Sequence, residues 1–292
     1  MSKNNPVWAF FGTEGISIIV LDELKARGFI PRLIVTVEDK PKGRNLEMSS
    51  PEVKTWAENE DVDFIQLKSL KDKESEEIIR SSAPEGFDLF VVASYGKMIP
   101  QNILDIPKHK TLNVHPSLLP KLRGPSPIQS AILEENETGV TIMQVDAEMD
   151  HGPVISQKKL EIEWPPYAEQ LENTLGKLGG EMLAEIIPSW ISGKVKETPQ
   201  NENLATFCKK IEKSDGEIKL EDKAEKNLRK IRAYSVWPGA YFFYDDGKSK
   251  TRIIIKKAHV SGGKLVLDRI LPEGRKEMDW QSFLNGKNKP NL

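Results

Sequence analysis

The sequence has little of what marks an exported, membrane-bound or disulfide-linked protein. Only one cysteine, Cys208, occurs among 292 residues, so no internal disulfide can form, and we expect a buried small hydrophobe there. No segment approaches the roughly 20 apolar residues of a membrane span, and the first six residues, MSKNNP, contain no apolar signal core. With 38% hydrophobic and 29% charged residues, the composition is typical of a soluble globular protein. A cytoplasmic location without membrane attachment is expected.

Motifs for phosphate and metal chemistry are also missing. The first predicted strand-to-helix turn, FGTEG at residues 11–15, lacks the G-x-G-x-x-G spacing of a dinucleotide site. The chain contains no G-x-x-x-x-G-K-[ST], no H-E-x-x-H and no C-x-x-C. We therefore expect an ordinary tight turn, no Rossmann-type nucleotide cofactor and no metal.

What the sequence does contain is a regular alternation of strand and helix patterns over residues 1–204. Apolar runs begin at Val7, Leu33 and Leu89 and are typical of strands buried on both faces, and residues 111–115 are interpreted as a fourth buried strand. With helical patterns between them, they predict an α/β fold with a doubly wound, mostly parallel sheet. Residues 141–145 and 154–158 flank a turn and are expected to pair at its edge. A long helix from about Tyr167, ended or kinked near Pro188, would close the domain.

The remaining residues, 205–292, have a different pattern and a different charge. A polar stretch at residues 198–203 separates the two parts, and short strands with Asp-Gly and Gly-Gly turns predict a small, OB-like antiparallel β-barrel. This part holds 20 Lys and Arg against 12 Asp and Glu, which leaves 22 against 32 in residues 1–204. A domain of charge +8 on a body of charge −10 is expected of a polyanion-binding appendage. The alternative is a lysine-rich solvated surface.

Three polar residues near strand ends are the candidates for chemistry. Asn113 and His115 lie two apart in a predicted strand, so their side chains share one side of it. Asp150 lies in the turn EMDHG, from which a carboxylate could reach the imidazole. An amide N–H and a protonated imidazole can stabilise a tetrahedral oxyanion, and a carboxylate can relay the proton of an attacking amine. Taken singly, each residue has an ordinary alternative as a cap, a packing residue or a turn former.

These residues stand in segments that resemble a known family. The strings NVHPSLLPKLRGPSPIQ from Asn113 and GVTIMQVDAEMDHGP from Gly139 resemble the folate-dependent formyltransferases, and within them the methionyl-tRNA formyltransferases. The resemblance extends to VASYGKMIP from Val92 and to AYSVWPGA from Ala233, so it covers nearly the whole chain. It implies formyl transfer from 10-formyltetrahydrofolate to the α-amino group of methionine on initiator methionyl-tRNA, for translation initiation.

The resemblance also implies roles for particular residues. Asn113, His115 and Asp150 match the catalytic positions. The implied folate contacts are Ser117, Leu118, Leu119 and Pro120, with Tyr95, Met98 and Ile99 lining the pterin pocket. Plain core packing is the alternative for Met98 and Ile99. The loop of residues 39–48 corresponds to one that approaches the tRNA acceptor end, through Lys40, Lys42 and Arg44. Its alternative is a surface loop with incidental lysines.

The sequence thus predicts a catalytic domain at residues 1–204 and a tRNA-binding β-barrel at residues 205–292, with no metal and no obligatory protein partner. One alternative function is folate-dependent formylation of an amino sugar nucleotide, which shares the fold and the three catalytic residues. Another, of a different class, is a catalytically idle RNA-binding protein on the same scaffold. The basic tail favours tRNA over a sugar as the acceptor.

Overall fold

A computed structural model describes residues 5–42, 47–245, 247 and 249–287 of the chain. The chain folds into two compact units. The first contains Met1–Pro125, Thr138–Leu160 and Glu172–Cys208, and the second contains Ser126–Glu137, Glu161–Leu171 and Lys209–Leu292. The predicted domain boundary between residues 204 and 205 stays a prediction.

The first unit is built on a seven-stranded sheet. Its strands, in spatial order, are β5 (Asp63–Gln66), β2 (Leu33–Thr36), β1 (Trp8–Gly12), β6 (Leu89–Ala93), β7 (Thr111–His115), β8 (Thr138–Gln144) and β9 (Val154–Leu160). The first five run parallel, β8 runs antiparallel to β7, and β9 runs antiparallel to β8 and so in the same direction as the first five. The doubly wound, mostly parallel sheet and its hairpin addition at the edge are therefore confirmed. A separate two-stranded ribbon joins β3 (Lys40–Lys42) to β4 (Glu47–Ser49).

Helices cover the strands of this sheet. In the first unit they are α1 (Ile16–Ala26), α2 (Glu52–Asn59), α3 (Lys73–Ser81), α4 (Gln101–Leu104) and, from Glu172 on, α6 (Ala168–Ile191). An apolar cluster that includes Phe11, Val35 and Phe90 fills one layer, as unbroken apolar strands require. None of the helices that the structure describes has the length and apolar character to cross a membrane.

Helix α6 packs closely because small residues face its neighbours. A Cβ at Gly179 would overlap the Val114 side chain of β7, and one at Gly180 would come within 2.5 Å of Glu23. The helix continues past Pro188 and ends at Ile191, close to the position near which the sequence predicted an end or a kink. Pro188 removes one backbone donor near the helix end, and the neighbouring Ile187 is fully buried.

Among the described residues, the second unit contains an antiparallel sheet and several helices. The strands follow the order β10 (Tyr241–Asp245), β11 (Lys250–Ser261), β12 (Lys264–Pro272) and β13 (Met278–Asp279). The helices are α5 (Pro127–Glu134), α7 (Ala224–Ala233) and α8 (Trp280–Lys287). Phe242, Ile253, Ile255 and Phe283 lie in its apolar core. The antiparallel architecture predicted from the turn residues is confirmed.

Candidate active site

Strand β7 presents two of the three candidate catalytic side chains. Asn113 pairs with Met143 of β8 and His115 pairs with Thr141. Since alternate residues of a strand share a side, the Asn113 and His115 side chains lie together, while Val114 between them packs towards α6. His115 is buried. Strand β7 is therefore held by its pairing with β8 and by the packing of Val114 against α6, and this fixes the backbone that carries Asn113 and His115.

The hydrogen bond of His115 defines where its protons lie. Its Nε2 lies 3.0 Å from the carbonyl oxygen of Leu122. A carbonyl oxygen only accepts, so Nε2 carries the hydrogen of this bond. The other ring nitrogen, Nδ1, lies 3.5 Å from Oδ1 of Asp150. The imidazole is thereby oriented with Nδ1 towards a carboxylate.

Asp150 reaches β7 from the loop that joins β8 to β9. Its Oδ2 accepts a hydrogen bond from the backbone N–H of Gly124 at 2.8 Å. Its Oδ1 lies 3.4 Å from Nδ2 of Asn113 and accepts from it. The backbone of Asp150 has a φ of +52°, a conformation that costs a residue other than glycine about 1 kcal/mol. The structure thus brings Asn113, His115 and Asp150 together as the sequence predicted, while their catalytic roles stay predictions.

The segment after β7 is held rigid by Thr141. Its hydroxyl donates to the carbonyl of Ser117 at 2.7 Å and accepts from the Leu119 N–H at 3.1 Å. Gln157 adds bonds of 2.8 Å to the Thr141 hydroxyl and the Leu119 carbonyl, and the Ser117 hydroxyl donates to Lys121 O at 2.6 Å. Leu118 and Pro120 are half-buried, whereas Ser117 and Leu119 are buried. The predicted folate-contacting segment, residues 117–120, is therefore a rigid support, and its Ser117 hydroxyl already donates a hydrogen bond to Lys121.

The residues expected to line a pterin pocket fall into two groups. Tyr95 and Ile99 are buried and belong to the apolar cluster of the first unit, whereas Met98 exposes about half of its side chain at 55%. The Tyr95 hydroxyl is buried without a hydrogen-bond partner among the described residues, and burial raises the pKa of Tyr95 to about 12. Tyr95 and Ile99 are thus part of the core as well as candidates for the pocket.

The loop predicted to approach tRNA is described only in part. Lys40 lies exposed on β3 opposite Ser49 of β4. Lys42 ends the same strand, but its side chain lies outside the described residues, as does Arg44. The prediction for these three residues stays a prediction.

The first strand-to-helix turn is closed by acidic side chains. Glu52 accepts the Gly15 N–H at 2.9 Å, and Glu172 accepts the Ile16 N–H at 3.1 Å. In a dinucleotide site these helix-terminal N–H groups would bind phosphate. Two carboxylates here would repel a phosphate, which agrees with the sequence-based expectation of an ordinary turn.

Sequence reasoning missed the support around Asp150. Gln200 donates to the carbonyl oxygens of Asp150 and Gly152 at 2.9 and 2.8 Å, and Arg123 bonds both Gln200 and Glu202. The hydrogen bond from Arg123 lowers the pKa of Glu202 from its ordinary value. Gln200 lies in the polar stretch that was interpreted as a separating segment, so nothing local marked it. Residues 198–203 belong to the first unit and are hydrogen-bonded within it, so they are not a flexible linker.

A mostly parallel α/β sheet that holds an amide and an imidazole, each within 3.5 Å of the same carboxylate, has side chains suited to a group-transfer enzyme. Residues 9–187 match the family model described as formyl transferase, and residues 210–264 match that of the formyl transferase C-terminal domain. The chain therefore belongs to the formyl transferase family.

Its relatives within that family include methionyl-tRNA formyltransferases. The one from Thermodesulfovibrio yellowstonii is 36% identical and the alignment covers 95% of each chain. Among solved structures, a methionyl-tRNA formyltransferase from Clostridium thermocellum has a TM-score of 0.60 at 16% identity, covering 92% of this chain and 98% of that one. A 4-N formyltransferase from Francisella tularensis has a TM-score of 0.63 at 20% identity, covering 84% and 95%. These two structures establish the shared fold alone.

Proposed function

We propose that the protein transfers the formyl group of 10-formyltetrahydrofolate to the α-amino group of methionine on initiator methionyl-tRNA, for translation initiation. The observation that carries the proposal is the alignment over 95% of both chains with a methionyl-tRNA formyltransferase at 36% identity. The arrangement of Asn113, His115 and Asp150 supplies the chemistry. A cytoplasmic place of action, without an obligatory protein partner, belongs to the same proposal.

The reaction joins an amine to a formyl carbon in two steps. The amine nitrogen attacks the formyl carbon, and the electron pair of the C=O bond moves to oxygen. The amide N–H of Asn113 and an imidazolium Nδ1–H of His115 stabilise that oxyanion. Asp150 accepts a proton from the attacking nitrogen, directly or through water. When the tetrahedral species collapses, the C–N bond to the folate nitrogen breaks and that nitrogen takes up the proton that Asp150 accepted, so no covalent bond to the enzyme forms.

The folate is proposed to bind between the support after β7 and the segment after β6. The four residues of the support are Ser117, Leu118, Leu119 and Pro120, and the pterin ring would lie near Tyr95, Met98 and Ile99. An apolar slot with a few polar groups suits a flat heterocycle. The fit rests on the Tyr95 hydroxyl, a buried oxygen without a partner among the described residues, and on Met98, whose exposed side chain can cover a ring.

The tRNA is proposed to bind through the basic C-terminal part and through the loop that includes Lys40, Lys42 and Arg44. Residues 205–292 carry eight more basic than acidic residues, and Lys250, Lys256 and Lys257 are exposed on β11. Lysine and arginine supply the phosphate contacts on which the affinity of nucleic-acid binding depends. We assign residues 1–204 to catalysis and residues 205–292 to tRNA binding.

The direct test is a single-turnover reaction of the purified protein with formyl-labelled 10-formyltetrahydrofolate and methionyl-tRNA. Hydrolysis of the aminoacyl ester should release N-formylmethionine, with one tetrahydrofolate formed for each formyl group transferred. The Asn113→Ala and His115→Ala variants should lose this product while they keep the folded structure. Donor hydrolysis without a labelled amino acid would contradict the proposal.

A further inference from the structure

Both the nitrogen and the oxygen of the Gln200 side-chain amide are hydrogen-bonded next to the candidate active site. Its Nε2 donates one hydrogen bond to the carbonyl of Asp150 at 2.9 Å and another to that of Gly152 at 2.8 Å. Its Oε1 accepts from Nε of Arg123 at 3.1 Å and from Nη2 at 2.8 Å. Because a guanidinium only donates and a carbonyl only accepts, these partners fix which end of the amide faces which group.

Arg123 is itself held in one place. Its side chain is 3% exposed and pairs with Glu202, at 2.6 Å from Nη2 to Oε1 and 2.9 Å from Nη1 to Oε2. A buried guanidinium needs such partners, because an unpaired buried charge is strongly destabilising. Its backbone pairs with residues 206–208, through Arg123 N to Thr206 O at 2.9 Å and Cys208 N to Arg123 O at 2.8 Å. Gln200 is thus anchored to a rigid partner.

This anchor lies beside the groups that orient the candidate catalytic residues. The carbonyl of Leu122, before Arg123, binds His115, and the N–H of Gly124, after it, binds Asp150. Asp150 also has the unfavourable φ of +52°. Gln200 therefore ties the backbone of the aspartate turn to the same short segment that orients the His115 imidazole and the Asp150 carboxylate.

We propose that Gln200, fixed by Arg123, is a positioning residue that holds the Asp150 carboxylate against His115 for formyl transfer. The inference rests on the proposed function for its kinetic consequence only. Gln200 touches backbone carbonyls and not the reacting atoms, so it acts through Asp150. A displacement of about 1 Å at a catalytic group can reduce turnover about 100-fold.

Two variants separate the two ends of the amide. Gln200→Glu keeps the size of the side chain and an oxygen for Arg123, but replaces the donor to both carbonyls by an acceptor. Gln200→Ala removes both ends. The matched control is Asn102→Ala, which removes an amide that donates to Glu76 at 2.8 Å elsewhere in the first unit. We expect both Gln200 variants to lower kcat by about 10- to 100-fold, with KM for both substrates within about threefold of the parent protein, and the control to keep its kcat.

A second readout needs no substrate. In hydrogen–deuterium exchange measured by mass spectrometry, the peptide that contains residues 146–152 should exchange faster in Gln200→Glu than in the parent protein or the control. Faster exchange there together with reduced kcat supports the inference. Unchanged exchange in that peptide overturns it, as does a kcat within twofold of the parent. If the parent protein formylates no methionyl-tRNA, the proposed function fails, and the exchange result alone decides whether Gln200 holds the turn. If Gln200→Ala does not fold, the isosteric Gln200→Glu carries both measurements.

Discussion

Nδ1 of His115 lies 3.5 Å from Oδ1 of Asp150, while Nε2 on the other side of the ring is bonded to a backbone carbonyl. This arrangement places the Nδ1 side of the imidazole against the carboxylate. In the proposed mechanism, proton transfer depends on the charge of Asp150 and not only on its shape.

Removal of the negative charge of Asp150 should lower turnover strongly and leave the fold intact. In Asp150→Asn, the side chain keeps its size and one oxygen for the Gly124 N–H, but it cannot accept the proton of the amine. We expect kcat to fall by about 100- to 10,000-fold, the usual contribution of a positioned base. The control is Asp88→Asn, which alters a carboxylate bonded to Val7 N and Lys108. A loss of less than about threefold in Asp150→Asn would contradict a proton-transfer role.

The turn that carries Asp150 has no room for a side chain at Gly152. A Cβ there would overlap the carbonyl oxygen of Gln144, so Gly152→Ala must shift the backbone next to Asp150. We expect a loss of about 1–3 kcal/mol in the free energy of unfolding and a lower kcat. At Gly286 in α8 a Cβ meets open space, and Gly286→Ala should stabilise the protein by up to about 1 kcal/mol. Urea unfolding of both variants checks the contrast, and equal stability would contradict it.

His151 should make stability depend on pH. The hydrogen bond from Nδ1 to Asp146, 2.7 Å long, is the main cause that raises the pKa of His151. The resulting stabilisation is fully present below the ordinary histidine pKa of about 6.5, and it is lost as pH rises through the higher folded-state pKa. The difference in Tm between the parent and His151→Gln should therefore be larger at pH 6 than at pH 9. Asp146→Asn should remove the same pH dependence, and a constant difference in Tm would exclude the pair as its source.

Exposed lysines of β11 should contribute to tRNA binding through charge. In the full chain, Lys256→Gln with Lys257→Gln should weaken binding, and the slope of log K against log salt should fall by up to about 1.8, at about 0.7–0.9 for each lost phosphate contact. The KM for folate should not change. The control pair Lys71→Gln and Lys73→Gln removes the same charge from exposed positions of the first unit. An equal effect of both pairs would indicate nonspecific electrostatics.

Local sequence patterns predicted the parts of the fold that depend on local burial. Strands β1 and β6 are unbroken apolar runs, and the period of two along β7 correctly placed Asn113 beside His115. Helix α3 was not identified from its sequence, KESEEIIRS, although Asp72 caps its first turn by accepting a hydrogen bond from the Ser75 N–H.

The approach of Asp150 depends on contacts between distant parts of the chain. Its carboxylate is fixed by a backbone N–H 26 residues away and its carbonyl by Gln200, 50 residues away. Asp150 also adopts a positive φ, which the sequence did not predict. Composition and spacing contain no signal for such contacts, so sequence reasoning brought the three candidate residues together but did not find the groups that orient them.

A comparison between acceptors tests most directly whether initiator methionyl-tRNA receives the formyl group. We would measure kcat/KM for formyl transfer from 10-formyltetrahydrofolate to initiator methionyl-tRNA, elongator methionyl-tRNA and a panel of amino sugar nucleotides, with the same purified protein. The account predicts transfer to initiator methionyl-tRNA and none to the sugars. Formylation of a sugar nucleotide alone, or no transfer to any amine, would contradict it.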